Sequence, residues 1–349
     1  MPGFLIYGAN GYTGTLIARE AVARGHRPVL AGRNAQALAT LAGDLGLGCR
    51  IFPLHDPGQV AEGIRGMQAV LHCAGPFAHT YRPMADACLQ AGVHYLDITG
   101  EVAVFEGLAA RTTAAQAAGV MLLPGVGFDV VPSDCLAAHL KRRLPSATRL
   151  ALGLLSLGRV SRGTATTMAE NIHHGGLVRQ DGALRRVPAA WKTRVIDFGT
   201  GPVKAITIPW GDVSTAFHST GIPNIEVYVA ARLGLRLAAR ASRPFGWLLG
   251  SRLAQGLLRR RIRAGPPGPT EEERARGRSY LWGEAVDNRG RRVVSRLQGP
   301  EGYTLTARAA LAVVERVLAG DAPPGFQTPS TAYGCDFVLG LEGMARADE

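Results

Sequence analysis

The chain has 349 residues, 46% hydrophobic and 19% charged, the make-up of a globular protein long enough for two domains. Its net charge of +12 is regional: residues 231–300 hold 16 Arg and no Lys against 5 acidic side chains, while the remainder balances 23 basic against 22 acidic. No nucleic-acid motif or interleaved aromatic platform accompanies that excess, so nucleic acid is not an expected partner, and five scattered cysteines without a C-x-x-C pair argue against a disulfide scaffold or a zinc site.

The first element is an apolar run, Phe4 to Tyr7, followed by Gly8-Ala9-Asn10-Gly11-Tyr12-Thr13-Gly14 and a helical pattern from Thr15 to Val22. Strand, tight glycine turn and helix open a dinucleotide-binding βαβ unit. Gly8 allows the sharp turn, Gly11 admits a pyrophosphate close to the backbone, and Gly14 lets the helix pack near the strand. The cofactor-binding set starts with Gly8, Asn10, Gly11, Tyr12, Thr13 and Gly14, at a helix start whose amides suit phosphate. The spacing is G-x-x-G-x-x-G, and a plain glycine-rich turn is the alternative reading.

The second strand ends in Ala31-Gly32-Arg33-Asn34. An NAD site places Asp or Glu there for the ribose 2′-OH; Arg33 instead suits a 2′-phosphate, so NADP is the expected cofactor, with Arg33 and Asn34 in its site. A third strand, Arg50 to Leu54, ends at Asp56, expected beside the adenine. A fourth, Ala69 to Ala74, ends in Ala74-Gly75-Pro76-Phe77, expected to face the cofactor. The spacing predicts a helix over 83–89, a fifth strand over 94–98 and a sixth over 120–124. Strands separated by helices imply a parallel sheet with helices on both faces, and ligands bind beyond its carboxyl ends. Those ends bring forward Tyr81, Glu101 and Asp129 as candidates for proton transfer, with His79 also near; Asp97 and Asp129 read equally well as turn caps.

After residue 134 the texture changes. Strands are expected over 150–155, 203–209, 224–230, 279–287 and 291–298, with a turn and helix start over 162–171, and a last helix over 303–319 that returns with 325–330 to the first domain. The fold class expected is α/β: a Rossmann-type parallel-sheet domain and a second α+β domain on a mixed, mostly antiparallel sheet. The boundaries expected are 1–135, completed by 303–349, for dinucleotide binding, and 136–302 for substrate and dimerisation. Residues 244–263 combine Trp, Leu and Arg and are too short and interrupted to span a bilayer. They read either as a helix packed on its own domain or as a peripheral membrane contact. The start Met-Pro-Gly leaves no room for a signal peptide, and a cytoplasmic location is expected.

A short-chain dehydrogenase needs Tyr-x-x-x-Lys, yet four residues before Lys141, Lys192 and Lys204 stand Ala137, Pro188 and Thr200. The adjacent His173 and His174 lack ligand spacing, so no metal is expected. Thr164 to Thr167, Pro209 to Gly211 and Ser219 to Pro223 suit an apolar slot with a few orienting hydroxyls, and Arg162 is a possible carboxylate receiver.

Gly8 to Gly14, Ala31 to Arg33, Cys73 to Phe77, Tyr95 to Glu101, Pro124 to Asp129, Ile208 to Asp212, Ser219 to Asn224 and Thr328 to Gly334 together make the chain resemble the saccharopine dehydrogenase-like NADP-binding family, in particular its trans-acting enoyl reductase branch. The resemblance implies an NADPH-dependent oxidoreductase acting on a polarised C=C of a lipid-like or small carbonyl substrate, expected as a homodimer. A non-catalytic NADP-binding sensor or scaffold, and a reductase of amino-acid imine adducts, are the other readings.

Overall fold

A computed structural model describes residues 3–156, 158–171, 175–231, 233–234 and 251–349. The chain divides into two units, one of residues 1–131 and 303–333, the other of 132–302 and 334–349.

The first unit begins with β1 (Phe4–Tyr7), buried throughout. An unbroken apolar run of four residues is what a central parallel strand covered on both faces requires. In chain order follow α1 (Tyr12–Ala23), β2 (Val29–Gly32), α2 (Ala35–Leu45), β3 (Cys49–Ile51), α3 (Pro57–Ile64), β4 (Ala69–His72), α4 (Phe77–Ala91), β5 (His94–Asp97), α5 (Val102–Ala109), α6 (Thr112–Ala117) and β6 (Met121–Leu123). The helix expected over 83–89 starts six residues earlier, at Phe77, and carries Pro83 in its interior.

The second unit holds α7 (Val131–Arg143), which starts at the boundary, then β7 (Ala147–Ser156), α8 (Arg162–Asn171), β8 (Gly176–Gln180), β9 (Ala183–Val187), β10 (Thr193–Asp197), β11 (Pro202–Thr207), α9 (Asp212–Thr220) and β12 (Asn224–Ala230). It continues through α10 (Arg252–Ala264), α11 (Glu271–Arg276), β13 (Arg278–Asp287) and β14 (Arg292–Pro300). The chain then returns to the first unit with α12 (Gly302–Leu318), β15 (Gly325–Phe326) and α13 (Pro329–Tyr333), and ends in the second with β16 (Ala345–Asp348).

The first sheet has seven parallel strands in the order β15-β6-β5-β4-β1-β2-β3. Crossover helices with parallel pairing are the doubly wound arrangement, and β1 at the reversal of strand order marks where a dinucleotide binds. The second sheet has nine strands; β10-β11-β12-β7-β13-β14-β16 form its main path, with β8 and β9 attached beside β12. β12 and β7 run parallel; the other pairs are antiparallel. Ile196, Phe198, Tyr228 and Trp282 are packed together in the core on one side of that sheet.

The expected boundaries need one correction. Residues 303–333 belong with the first unit, but the tail from Gly334 does not complete it: β16 pairs with β14, and Arg143 Nη2 donates to the Glu349 carbonyl at 2.7 Å. β8, β9 and β10 were not expected either. β9 exposes Arg185 and Arg186, and β10 carries a half-buried Arg194 among exposed Thr193, Val195 and Asp197, so hydrophobic alternation is weak.

Candidate active site

The turn after β1 is shaped by what lies against it. Gly8 has φ 81°, and a Cβ there would come within 2.8 Å of Ala74 Cβ. Gly14 is tighter still, because a Cβ would stand 2.4 Å from the Gly8 carbonyl oxygen and 2.9 Å from Ala9 Cα. Only glycine lets the first turn of α1 sit that close to the strand end. Gly11 is the N-cap of α1, with no side-chain cap and no acidic residue in the first turn. That helix start therefore keeps its partial positive charge for an anion, the requirement of a pyrophosphate site.

Arg33 follows β2 directly and is exposed. It has no carboxylate or hydrogen-bond partner among the described residues, while Tyr7, whose hydroxyl donates to the Phe52 carbonyl at 3.0 Å, lies within its field. A guanidinium with all its donors open at this strand end suits a dianionic phosphate. Asn10 Oδ1 lies near Gly32, on the same strand end. Asn34 has a local task, since its side chain accepts from the Ala37 amide and caps α2. Asp56, expected beside adenine, is the N-cap of α3. It accepts from the Gly58 and Gln59 amides at 3.0 and 3.1 Å and from Gln59 Nε2 at 2.7 Å, and these bonds hold its carboxyl below the usual range.

The Ala74 to Phe77 segment is fixed from both sides. Thr80 Oγ1 donates to the Ala74 carbonyl at 2.7 Å and receives a hydrogen bond from His72 Nε2 at 3.0 Å. Burial pushes His72 down to about 3, so the ring is neutral; it packs between Tyr7 and Phe77 and leaves Nδ1 without a hydrogen bond among the described residues. At the other side, both oxygens of Glu101 accept from the start of α4, Oε1 from the Phe77 amide at 2.8 Å and Oε2 from the Ala78 amide at 2.9 Å. α4 has Pro76 as its N-cap and no cap of its own, so a carboxylate from 24 residues on takes that place. Glu101, expected as a candidate for proton transfer, thus has both oxygens on a helix start.

Tyr81, another of the candidates, is buried. It is 3% exposed, and a Cβ on Gly107 would come within 2.2 Å of its hydroxyl, so α5 packs directly over it. The Arg82 Nε donates to that hydroxyl at 3.0 Å. The side chain belongs to the α4–α5 core and not to an open site.

Asp97 joins the ends of β5 and β6. Its carboxylate accepts from the Thr99 and Gly125 amides, both at 2.9 Å, and from the Tyr95 hydroxyl at 2.7 Å. Burial pushes the group up to about 7 against the pull of those bonds. Asp129 lies in the turn between β6 and α7, with its carboxylate against Gly100: a Cβ there would meet its Oδ2 at 3.0 Å. Burial pushes Asp129 up to about 6, near the value that suits an acid working at neutral pH.

Sequence reasoning missed the contribution of α12. Tyr303 meets Tyr12 edge-on at 5.1 Å, and Thr306 Oγ1 accepts from the Phe128 amide at 3.0 Å. The start of α12 thus lies beside both the glycine turn and the β6 end. Nothing local in the sequence signals this, because 178 residues separate Phe128 from Thr306.

Residues 4–123 match the family model for the saccharopine dehydrogenase NADP binding domain. The matched residues lie within the first unit. Its glycine cradle, uncapped helix start and open Arg33 fit NADP, the cofactor expected from the sequence. The chain is 31% identical to a trans-acting enoyl reductase of Mycobacterium ulcerans (strain Agy99) over 48% of its own length and 43% of that protein's. It is 27% identical to a saccharopine dehydrogenase-like oxidoreductase of Mus musculus over 56% of its length and 46% of that protein's. These matches span less than half of either relative. The fold is similar to that of the apo, histidine-tagged saccharopine dehydrogenase (L-Glu forming) from Saccharomyces cerevisiae, with a TM-score of 0.69, 10% identity and full coverage of both chains.

In the second unit, Thr164 to Thr167 lie on α8, Ser219 and Thr220 end α9, and Trp210 precedes α9. Arg162, considered as a carboxylate receiver, is engaged locally, its Nε donating to the Gly265 carbonyl at 2.8 Å. His173, His174 and residues 244–250 lie outside the described residues. No helix among the described residues is long and apolar enough to cross a membrane.

Proposed function

We propose that the chain is an NADPH-dependent oxidoreductase that reduces a polarised C=C of a lipid-like or small carbonyl substrate. The observation that carries this reading is the pairing, in one unit, of a phosphate cradle with a carboxyl raised to about 6 at the carboxyl edge of the same sheet. NADPH, when bound, supplies the hydride. The glycine turn and α1 start would hold its pyrophosphate, and Arg33 its 2′-phosphate. The β4–α4 segment, held by Glu101 and Thr80, gives the cofactor a fixed wall. Asp129 in its acid form would give the proton to the carbon that the hydride does not take, leaving a carboxylate that water reprotonates.

The choice of C=C over C=N is supported by the enoyl reductases among the relatives and by the small, apolar and hydroxylated make-up of the motifs around residues 164–167, 209–211 and 219–223. A cytoplasmic setting is part of the proposal, supported by five cysteines that are all free thiols. So is a homodimer, supported by β10: it ends the main path of the second sheet, and Val195 on it is 60% exposed.

NADPH oxidation is the test, with enones and enoyl thioesters in one panel and saccharopine-type imine mixtures in the other. Turnover of the first panel is expected. Turnover of the imines alone would replace the C=C assignment with reduction of amino-acid adducts, and tight NADPH binding with silence in both panels would favour a sensor.

A further inference from the structure

The Arg-rich stretch folds in part as α10, and its sequence sorts into two faces. Gln255, Leu258, Arg259 and Ile262 lie on one side at helical spacing. That side is seated on α8: Gln255 Nε2 donates to the Ala169 carbonyl at 2.9 Å, and Arg259 Nη2 is 3.0 Å from Glu170 Oε1. The opposite side presents Leu253 and Leu257, 88% and 71% exposed, one turn apart. Arg260 and Arg261 lie on either flank of that leucine pair by the same helical geometry.

Two features distinguish this face from an ordinary solvated one. Exposed leucines a turn apart are the arrangement a surface helix normally turns inward, and here the inward side is already occupied by other residues. The helix also carries five arginines and no acidic residue, and of these only Arg259 meets a carboxylate among the described residues. Arg252, Arg260, Arg261 and Arg263 are exposed and left with their charge.

We propose that α10 is a docking face for an anionic lipid surface, lying parallel to it with Leu253 and Leu257 entering the headgroup boundary and the arginines meeting lipid phosphates. Charge complementarity selects this occupant. A protein groove of the same shape would need its own acidic lining, whereas an anionic leaflet supplies negative charge over any area that a helix of 13 residues covers. Leucine side chains add apolar burial that counter-ions do not screen, so the two contributions separate in a salt titration. The inference is independent of the reaction proposed above.

The test is co-sedimentation of the full chain with vesicles of phosphatidylcholine and phosphatidylglycerol in roughly equal parts, beside vesicles of phosphatidylcholine alone. Binding to the mixed vesicles, weakened by added salt and absent from the neutral ones, is the expected result. Leu253→Glu with Leu257→Glu should weaken it about tenfold or more while leaving the melting temperature unchanged, because neither leucine is packed. Arg260→Gln with Arg261→Gln should weaken it and reduce its salt dependence. Three results would overturn the proposal: no binding to the mixed vesicles, equal binding by the leucine variant, or a dimer in solution that the leucine substitutions dissociate, which would make this face a contact between copies of the chain.

Discussion

Gly14→Ala offers the most direct test of how the cofactor turn is built. The added methyl would meet the Gly8 carbonyl oxygen at 2.4 Å and Ala9 Cα at 2.9 Å, whereas ordinary contact begins at 3.4 Å. Both neighbours are backbone and cannot rotate aside. The Gly8 carbonyl also accepts from the Gly11 amide at 3.0 Å, so relief requires moving α1 by roughly 1 Å or opening the turn. Overpacking of this kind costs about 1–3 kcal/mol, against a gain of up to about 1 kcal/mol from replacing a helical glycine by alanine. Gly43, in α2, isolates the gain: a methyl added there would have nothing within 4 Å, and Gly43→Ala should stabilise by about 0.5–1 kcal/mol. The gain is common to both variants, so they should differ by the overpacking cost, about 1–3 kcal/mol, or roughly 2–12 °C in melting temperature, with Gly14→Ala the lower. Thermal melting measures the difference, and a fluorescence titration with NADPH should show weakened binding only for Gly14→Ala. If Gly14→Ala melts at or above Gly43→Ala and binds NADPH normally, the close approach of helix to strand is not what the glycine serves.

Replacing Arg33 with Ala should remove a preference for NADPH over NADH of about tenfold or more, since a charge-assisted contact contributes about 1.5–3 kcal/mol; equal affinities in the unaltered protein would end that argument. Asp129→Asn should lower kcat by about 10²–10⁴ with little change in NADPH affinity, whereas Tyr81→Phe should leave kcat unchanged. Because Asp129 is raised to about 6, its acid form is depleted as pH rises through that value, and the decline of kcat above it should vanish in the Asn variant. Asp97 is likewise raised, to about 7, so the stability it contributes is full below its unfolded value of about 3.9 and is lost as pH rises through 7. Asp97→Asn should flatten that part of the decline in melting temperature, and an unchanged pH profile would contradict the assignment.

Much of the first unit was legible because its signals are local. Phe4 to Tyr7, the glycine spacing and Arg33 lie within one βαβ unit, and each needs only its neighbours to be interpreted. Asp56 also carried a local signal, Asp followed by Pro at the first helical position, which marks an N-cap. The surroundings of Glu101 and Tyr81 were not legible for a different reason. A position near a strand end says nothing of where a side chain points, and the amides that Glu101 receives lie 23 and 24 residues away. Tertiary placement likewise decided the second sheet: β9 has two exposed arginines in five residues, and β16 is the short run Ala-Arg-Ala-Asp, so neither shows the apolar pattern of a covered strand.

The order in which the strands are laid down bears on biosynthesis. β15 supplies an edge of the parallel sheet and β16 an edge of the other, and only 18 residues separate Phe326 from Ala345. A ribosome delivering this chain from its amino end has therefore released almost all of both sheets before either receives its last strand. Until then β6 and β14 each present an open ladder to the cell, the kind of edge that chaperones cover and that pairs wrongly with a neighbouring nascent chain. Cleavage between β14 and α12 would strip a strand from both units at once, so a single nick there would be felt throughout the molecule even though no residue of the glycine turn is touched.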